Sequence, residues 1–393
     1  MEHNLEKIYD ELFAWCAGEG FAGSDPFDGL NSRLFQATPL KYFTLPRLAF
    51  LQLVKRSPKD LRPLLKVEKG VNPKGTALFA LAELSRFRAT YRPEHAENAR
   101  RFLEQLLSLK LTTKSGHTAF GYNFDWQSRA FFAPKGTPTI VPTAFAAQAL
   151  LEASRLFGDQ AYVETARDIC RFITDDLNRT GDSDDEICFS YTPLDRSVIF
   201  NASLLAAECL ASTAEATGEN EYHDLASKAA RYVVRRQKEN GLWAYGPKLR
   251  HAWVDNFHTA YILLSLCRLS KSVPAIGSDA AVGDSIGSGM NYWLDNFFLD
   301  DGTPKYFDKE IYPVDIHSAS AAVAALAELR EVDDRCLPLA RKVADWTVVN
   351  MRDESGYFYY QKRPDRTVKI PFIRWSQAWT AYALARLIEE GNR

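Results

Sequence analysis

The most regular feature of the chain is a set of five Ala-rich segments whose apolar residues point in nearly every direction. When these segments are aligned on their apolar pattern, they begin at Thr143, Asn201, His258, His317 and Gln377. The spacing is a repeat of about 60 residues, and a weaker copy begins near Thr76. Segments that are apolar all round predict helices buried on every side.

Between these segments lie more polar ones, such as "PEHAENARRFLEQLLSLK" and "ENEYHDLASKAARYVVRRQKE", with one apolar stripe and one charged face. Such stripes predict outer helices. Short turns with Gly158 or Gly218 follow the inner segments, whereas long aromatic loops precede them. In the last loop, aromatic and polar residues alternate on both sides of Pro364 and Asp365, which predicts a β-hairpin.

This order of inner and outer helices resembles the α/α-toroid superfamily, which includes six-hairpin glycosidases, terpenoid cyclases and prenyltransferases. One motif adds to the resemblance: "KAARYVVRRQKENGLW" places Gln237 and Trp243 at the spacing of the QW repeat of terpene cyclases. In those enzymes the two residues tie the end of an outer helix to the following turn. The motif occurs once, and the other hairpins depart from it.

The resemblance implies an all-α fold: a toroid of six or seven helical hairpins, with short β-hairpins in the loops on one face. We expect residues 1–393 to form one domain, in which residues 1–70 supply the opening hairpin and a connecting segment. Phrases such as "DPFDGLNS", "GYNFDWQSR", "SYTPLDR" and "YPVDIHS" are similar to toroid proteins of bacterial polysaccharide biosynthesis clusters. They imply a carbohydrate substrate and no particular catalytic residue.

Composition excludes several other classes of protein. The chain is 46% hydrophobic and 25% charged with a net charge of −2, and it has no basic stripe, so a nucleic-acid partner is not expected. No apolar run is long enough to predict a membrane span. The six cysteines form no CxxC pair and the N-terminus lacks the pattern of a secretory signal, which predicts a cytoplasmic protein. No oligomeric state is predicted.

Polar residues gather where the inner helices begin, although such core positions usually hold Ala, Leu or Val. Because the inner helices of a toroid surround one axis, we expect these residues to line a site at the loop-side mouth. The predicted catalytic residues are Asp255, His258, Asp315, His317 and Asp195. The predicted substrate-binding residues are Asp125, Trp126, Arg129, Tyr191, Arg196, Asn201, Trp243, Asn256, Tyr312, Arg374, Trp375 and Gln377.

Structural interpretations compete with this site. Asp255 and Asp315 stand where N-caps of helices stand, and Asp195 with Arg196 fits a local turn. Residues 23–35, "GSDPFDGLNSRLF", either form an ordinary connection or reach over the mouth. The two histidines favour a functional site, because both occupy equivalent positions of the repeat and follow an Asp by three or two residues.

The chemistry stays open between hydrolysis, elimination and epimerisation. Glycoside hydrolysis uses two carboxyl groups, for which Asp195, Asp255 and Asp315 are available. A lyase or epimerase acting on a uronic acid uses a base such as His or Tyr and a cation that holds the carboxylate. No cofactor and no metal are predicted: Cys267 lies over two turns beyond His258, too far along its helix to complete a zinc site.

Two further functions remain as alternatives. The acidic run "DSDDE" at residues 182–186 matches the DxDD motif of class II terpene cyclases, although it falls in a polar loop. The aromatic rim of the mouth would equally serve a non-catalytic toroid that binds a glycan or acts as a scaffold.

Overall fold

The fold is a ring of helical hairpins. The computed structural model describes residues 4–128 and 131–391, and within them six inner helices alternate with six outer ones. The inner helices are Pro73–Thr90, Ile140–Phe157, Phe200–Thr217, Asn256–Ser272, Ile316–Glu328 and Trp379–Gly391. The outer helices are Leu5–Gly18, Pro93–Ser108, Gln160–Arg171, Glu221–Val234, Ala280–Asn296 and Cys336–Met351.

The ring is closed, because each inner helix packs against the next and the last packs against the first. The predicted all-α toroid is therefore confirmed, with six hairpins. Small side chains let the inner helices approach closely: Ala202, Ala206 and Ala211 of one helix are fully buried. Two inner helices are capped by glycine, Gly158 and Gly218, whose left-handed φ values of 73° and 77° turn the chain into the next outer helix.

The long loops lie at one mouth of the ring and carry short antiparallel strands. Three pairs form there: Leu111–Thr112 with Thr118–Ala119, Trp126–Gln127 with Phe132–Ala133, and Arg179–Thr180 with Cys188–Phe189. A three-stranded sheet joins Val314–Asp315, Gln361–Lys362 and Thr367–Val368 in that order. Its last two strands are the predicted hairpin, in which Gln361 opposes Val368.

Residues 1–70 differ from the predicted opening hairpin. They supply one outer helix and then an arm, residues 23–70, whose two ends are joined by backbone hydrogen bonds between Gly23 and Gly70. The arm contains the helix Thr44–Arg56 and the short helical segments Asp28–Asn31, Arg33–Gln36, Pro39–Tyr42 and Arg62–Leu65. Its fold depends on Arg62, which is 1% exposed and donates to Asp28 at 2.6 Å. The arm reaches the loop-side mouth, because Leu48, Leu51, Gln52 and Lys55 line the cavity there.

The QW motif holds two outer helices together. Gln237 donates to the carbonyls of Gly241 at 2.9 Å and Ser285 at 2.8 Å, and the indole of Trp243 donates to the carbonyl of Val233 at 3.0 Å. Trp243 is only 1% exposed and packs against Gly289. The motif thus ties the end of one outer helix to its turn and to the next outer helix, which is a structural role.

At the opposite mouth, charged residues near the ends of the inner helices pair with one another. Arg268 donates to Glu328 at 2.6 Å and to Glu208 at 2.9 Å. Arg88 donates to Glu389 at 2.8 Å and to Glu152 at 2.9 Å. Each arginine bridges two other helices, so these charges compensate each other within the protein. In the part of the chain that the structure describes, no helix is long and apolar enough to cross a membrane.

The substitution Gly241→Ala is expected to destabilise the protein more than Gly158→Ala does. Both glycines have positive φ, so either alanine costs about 1 kcal/mol of strain. At Gly241 the new Cβ would also lie 2.2 Å from the Ser288 carbonyl oxygen, whereas nothing lies within 4 Å at Gly158. Urea unfolding should therefore give a loss of more than about 2 kcal/mol for Gly241→Ala. Equal losses would contradict the close packing of this turn.

Candidate active site

A cavity of about 400 Å³ opens at the loop-side mouth, where the inner helices begin. Its size is typical of sites for small ligands. The walls are mainly aromatic: the rings of Trp126 and Tyr191 lie 5.2 Å apart, and those of Tyr245 and Trp253 are stacked at 4.5 Å. The polar lining includes three histidines and three basic side chains. No Asp or Glu of the described residues lines it.

Asp255 both caps a helix and orients a histidine. It precedes the helix Asn256–Ser272, and its Oδ1 accepts the backbone N–H of His258 at 3.0 Å. Its Oδ2 lies 2.7 Å from Nδ1 of His258 and accepts the indole N–H of Trp253 at 3.0 Å. An ionised carboxylate only accepts hydrogen bonds, so Nδ1 of His258 carries a proton, and in the neutral imidazole the lone pair lies on Nε2. His258 lines the cavity, and its side chain is 18% exposed.

Asp315 also caps an inner helix, but its second oxygen turns away from the histidine. Oδ1 accepts the backbone N–H of His317 at 2.9 Å and the indole N–H of Trp375 at 2.9 Å, and Oδ2 accepts from Gln361 at 2.7 Å. Asp315 is fully buried outside the cavity lining, and burial raises its pKa. Asp315 therefore does not face the cavity, and its two oxygens hold the start of an inner helix, Trp375 and Gln361 in place.

His317 lies against the tryptophan that Asp315 holds. The rings of His317 and Trp375 stack at 4.0 Å, and Nε2 of His317 lies 3.1 Å from the Tyr261 hydroxyl. Burial, together with the charges of Lys74 and Arg374, holds the pKa of His317 well below its usual value. This imidazole is therefore neutral at pH 7.

The two predicted histidines share one cavity. The ring of Phe257 contacts both: its centroid lies 4.0 Å from that of the His258 ring and 4.7 Å from that of the His317 ring. The two imidazoles are therefore no farther apart than these two distances together. One sugar-sized ligand can contact both.

Arg374 lines the cavity and is fixed by the arm. Its Nε and Nη2 donate to the two oxygens of Asp25 at 2.6 and 2.8 Å. This bidentate ion pair is almost fully buried, which holds the guanidinium in one position. The guanidinium also lies over the rings of Tyr122 and Trp375, 5.2 Å from each centroid.

The structure brings seven of the predicted residues into the cavity lining. Apart from His258 and His317 they are Trp126, Tyr191, Asn201, Arg374 and Trp375. Asn201 is 3% exposed, and its Oδ1 has no hydrogen-bond partner among the described residues. Such a buried acceptor suits a ligand that brings its own donor.

Other predicted residues serve the fold instead and do not line the cavity. Asp195 accepts from the backbone N–H groups of Thr192 and Ser197 within its own turn, and Arg196 beside it is exposed. Asp125 accepts from Gln36 in the arm. These three residues therefore lie outside the candidate site, because local backbone groups or solvent satisfy them.

Four further predicted residues also lie outside the cavity lining. Asn256 accepts from the indole of Trp293 and donates to a backbone carbonyl, and Gln377 bonds both backbone groups of Phe358. Trp243 is buried in the QW motif, and Tyr312 is 39% exposed outside the lining. Arg129 lies outside the described residues.

The sequence interpretation missed several lining residues. They are Lys55 from the arm, Lys74 from the first inner helix, His251, Tyr122 and Tyr261. Lys74 left a signal in "NPKGTALFALAEL", where one basic residue opens an otherwise apolar inner helix. Lys55 left none, because the arm is not part of the repeat.

The acidic run that matches the motif of terpene cyclases lies away from the cavity. The acidic run at residues 182–186 is largely exposed, and its Glu186 pairs with Arg235 and Arg236. Both arginines directly follow the outer helix Glu221–Val234, and none of residues 182–186 lines the cavity, so the run does not face it as a cyclase acid would. Among the described residues, no group of three or more His, Cys, Asp or Glu side chains could hold a metal ion.

Comparison with known proteins identifies solved structures that have a similar fold. No protein-family model matches the chain, and no curated protein matches it. Among solved structures, cellobiose 2-epimerase from Bacillus thermoamylovorans is 13% identical, with a TM-score of 0.64 over 82% of this chain and 87% of that one. D-mannose isomerase is 15% identical, with a TM-score of 0.58 over 80% and 86%. The GH76 α-mannanase of Bacteroides thetaiotaomicron is 10% identical, with a TM-score of 0.60 over 80% and 85%.

These structures share the six-hairpin, glycosidase-like α/α toroid, and this chain has the same fold. At such low identity the likeness establishes the fold alone. What the site can do must come from its own geometry. That geometry offers an oriented imidazole, a second neutral imidazole, buried cations and aromatic walls in one cavity.

The neutral state of buried His317 is expected to appear in the pH dependence of stability. The folded-state pKa is lowered, so below pH about 6.5 the unfolded chain takes up a proton that the folded chain does not. Wild type should therefore lose stability relative to His317→Gln as pH falls from 7 to 5, by up to about 1.4 kcal/mol per pH unit. Urea unfolding of both proteins across this range measures the difference. If the stability of wild type relative to His317→Gln stays constant or rises as pH falls, the burial of a neutral imidazole is contradicted.

Proposed function

We propose that this protein is a carbohydrate-active enzyme that transfers a proton at a carbon atom of a sugar, by epimerisation, isomerisation or elimination. One observation carries the proposal: imidazoles line the cavity, and no carboxylate of the described residues does. Hydrolysis by a pair of carboxyl groups therefore lacks its reacting groups there. Removal of a proton from a carbon beside a carbonyl or carboxylate needs a base and a stabilised anion, and the cavity can supply both.

His258 is the proposed general base. Asp255 holds the proton on Nδ1, so that Nε2 has a free lone pair at the edge of the cavity. The indole of Trp253 donates to the same carboxylate oxygen, which fixes the orientation of Asp255. Asp255 is thus a positioning residue, because it acts on substrate through His258.

His317 is the proposed second proton-transfer group. It is neutral, and its Nε2 contacts the Tyr261 hydroxyl, which in turn lies 3.4 Å from Nζ of Lys74. Epimerisation requires that a proton leave one face of a carbon and return to the other, so two separate groups are needed. The positive charge of Arg374, which also lines the cavity, would stabilise the enolate formed between the two transfers.

Aromatic walls support a sugar as the substrate. Sugars present apolar faces to rings and hydroxyl groups to polar side chains, and Trp126, Tyr191, Tyr245 and Trp253 supply rings around the mouth. The unpartnered Oδ1 of Asn201 can accept a sugar hydroxyl. The charged and hydrogen-bonding groups of the lining, unlike its rings, weigh against a hydrocarbon cation, for which they are poor walls.

Proteins with similar folds support the reaction class. Two of them are an epimerase and an isomerase of sugars, by name. A polysaccharide lyase has the fold as well, with a TM-score of 0.56 and 10% identity. The mannanase uses the same fold, and hydrolysis is set aside here because of the cavity lining and not because of the fold.

We further propose that residues 1–393 act as one domain in the cytoplasm, on an oligosaccharide of bacterial polysaccharide metabolism. The six cysteines are free and buried, as is usual for proteins of a reducing compartment. A non-catalytic glycan-binding toroid remains the competing function. It would need the aromatic walls and would not need the Asp255–His258 pair.

Proton exchange with solvent tests the proposed reaction. The protein is incubated in deuterated buffer with cellobiose, D-mannose, D-glucuronate and a uronate-containing polysaccharide. NMR then reports deuterium at sugar carbons, and ultraviolet absorbance reports an unsaturated product. We expect deuterium at the carbon beside the carbonyl or carboxylate of one of these substrates, and about 100-fold or greater loss of that rate in His258→Gln.

The control is Tyr312→Phe, which changes a half-exposed residue outside the cavity and should exchange as wild type does. Glycosidic cleavage without deuterium at carbon would contradict the proposal and favour hydrolysis. Absence of exchange with every substrate, or equal exchange in His258→Gln, would also contradict it.

The two capping aspartates are expected to respond differently to replacement by asparagine. Asp255→Asn cannot accept the Nδ1 proton through its amide nitrogen, so His258 adopts the other tautomer and loses its free Nε2. We expect kcat to fall by about 100-fold or more with little change in KM.

Asp315→Asn places an amide against three donors, so its effect should appear first as a lower melting temperature, with a smaller loss of kcat. Steady-state kinetics and thermal unfolding of both variants measure the contrast. Equal losses of kcat, or a normal kcat in Asp255→Asn, would contradict the assigned roles.

A further inference from the structure

The charges around the cavity are unbalanced. Lys55, Lys74 and Arg374 all line it, and no carboxylate among the described residues does. Buried charges in proteins are normally paired, because removing an ion from water is costly. Each of the three cations therefore needs a compensating group, either in the protein or in a ligand.

Arg374 has its compensating group inside the protein. Both oxygens of Asp25 accept from its guanidinium, at 2.6 and 2.8 Å. Asp25 in turn is held at the base of the arm, where its own backbone N–H donates to Asp28. This ion pair is complete without a ligand.

Lys74 has none. It is 3% exposed, and among the described residues it forms no ion pair; its nearest polar contact is the Tyr261 hydroxyl at 3.4 Å. Its ammonium group lies over the rings of Phe145 at 4.4 Å and Trp379 at 5.1 Å. It also stands in the first turn of the helix Pro73–Thr90, where the helix dipole adds positive potential. Burial and the charge of Arg374 hold the pKa of Lys74 well below its usual value.

Lys55 lines the same cavity from the arm helix Thr44–Arg56, and its side chain is partly buried. Its ammonium group lies 4.0 Å from the centroid of the Phe27 ring and forms no ion pair with the described residues. Burial lowers the pKa of Lys55 to about 8. The arm and the first inner helix thus present two uncompensated amines to one cavity.

We infer that the substrate is an anionic sugar, whose carboxylate or phosphate group contacts Lys74 with Lys55 adding positive charge from the arm, while a hydroxyl donates to Asn201. An anion in the cavity would compensate both amines and keep them protonated. The unpartnered Oδ1 of Asn201 is an independent sign of a hydroxylated ligand. The inference names the substrate class of the site proposed above, and it rests on that proposal.

Thermal shifts with three matched sugars test the inference. D-glucose, D-glucuronate and D-glucose 6-phosphate differ only at C6, so their comparison isolates the anion and distinguishes carboxylate from phosphate. A ligand that binds the folded state raises the melting temperature by mass action. We expect a shift with one or both anionic sugars at concentrations where D-glucose gives none.

Variants locate the anion. Lys74→Met and Lys55→Met should each weaken the anionic sugar by about 10-fold or more, whereas Lys59→Met, on an exposed residue just beyond the arm helix, should bind as wild type does. Lys74→Met should also raise the melting temperature without ligand, because methionine suits the ring-lined site better than an uncompensated amine. Unchanged binding in both Lys74→Met and Lys55→Met would overturn the inference.

The remaining outcomes separate this inference from the proposed reaction. Equal shifts with all three sugars, a shift with D-glucose alone, or no shift at all would contradict an anionic substrate. Proton exchange on neutral sugars with no preference for anionic ones would retain the reaction and reject the substrate class. Lysine-dependent binding of an anionic sugar without any proton exchange would retain the substrate class and reject the proposed reaction.

Discussion

The common direction of the six inner helices is the constraint on which this site depends. The first inner helix follows the arm and the other five follow long loops, and each of the first five leads through a short connection into the next outer helix. All six inner helices therefore begin at the same mouth of the ring. Capping residues at that mouth therefore converge, together with the positive ends of the helix dipoles. At the other mouth, arginines and glutamates such as Arg268 and Glu328 pair with each other and leave the charges compensated. The two mouths of the ring thus differ in chemistry: at one mouth the charged side chains pair within the protein, whereas at the other Lys55 and Lys74 form no ion pair with the described residues.

The two capping aspartates make different contacts because their distance in sequence from the following histidine differs by one residue. Asp255 is three residues before its histidine, so one oxygen caps the backbone and the other reaches the ring of His258. Asp315 is two residues before its histidine; one oxygen caps, and the other bonds Gln361. The first arrangement holds the imidazole of His258 in one orientation. The second fixes a strand and the tryptophan that packs on His317. Asp255 thus caps its helix and also orients a side chain of the cavity, two roles that the sequence presented as alternatives.

The repeat made most of the fold predictable, since a 3.6-residue apolar period and a recurring segment length both follow from helical hairpins around one axis. It also predicted which mouth holds the cavity, and that His258 and His317 meet there. The repeat does not distinguish a polar residue that lines the cavity from one that hydrogen-bonds the backbone beside it. For this reason the sequence alone points to Asp195, Asn256 and Gln377 as site residues, whereas in the structure they bond backbone groups. Nor does the repeat predict Lys55, because the arm has no counterpart in the repeat and its position depends on tertiary contacts such as those of Asp25 and Arg62.

The central claim is that one substrate lies between His258 and His317 in the loop-side cavity. A crystal structure of the protein with a bound substrate or a matching sugar alcohol tests it most directly. The account predicts a sugar carbon facing Nε2 of His258, with His317 or the Tyr261 hydroxyl on the opposite face of that carbon. A ligand bound at the opposite, charge-paired mouth, or one that contacts the rim rings without approaching either imidazole, would contradict it.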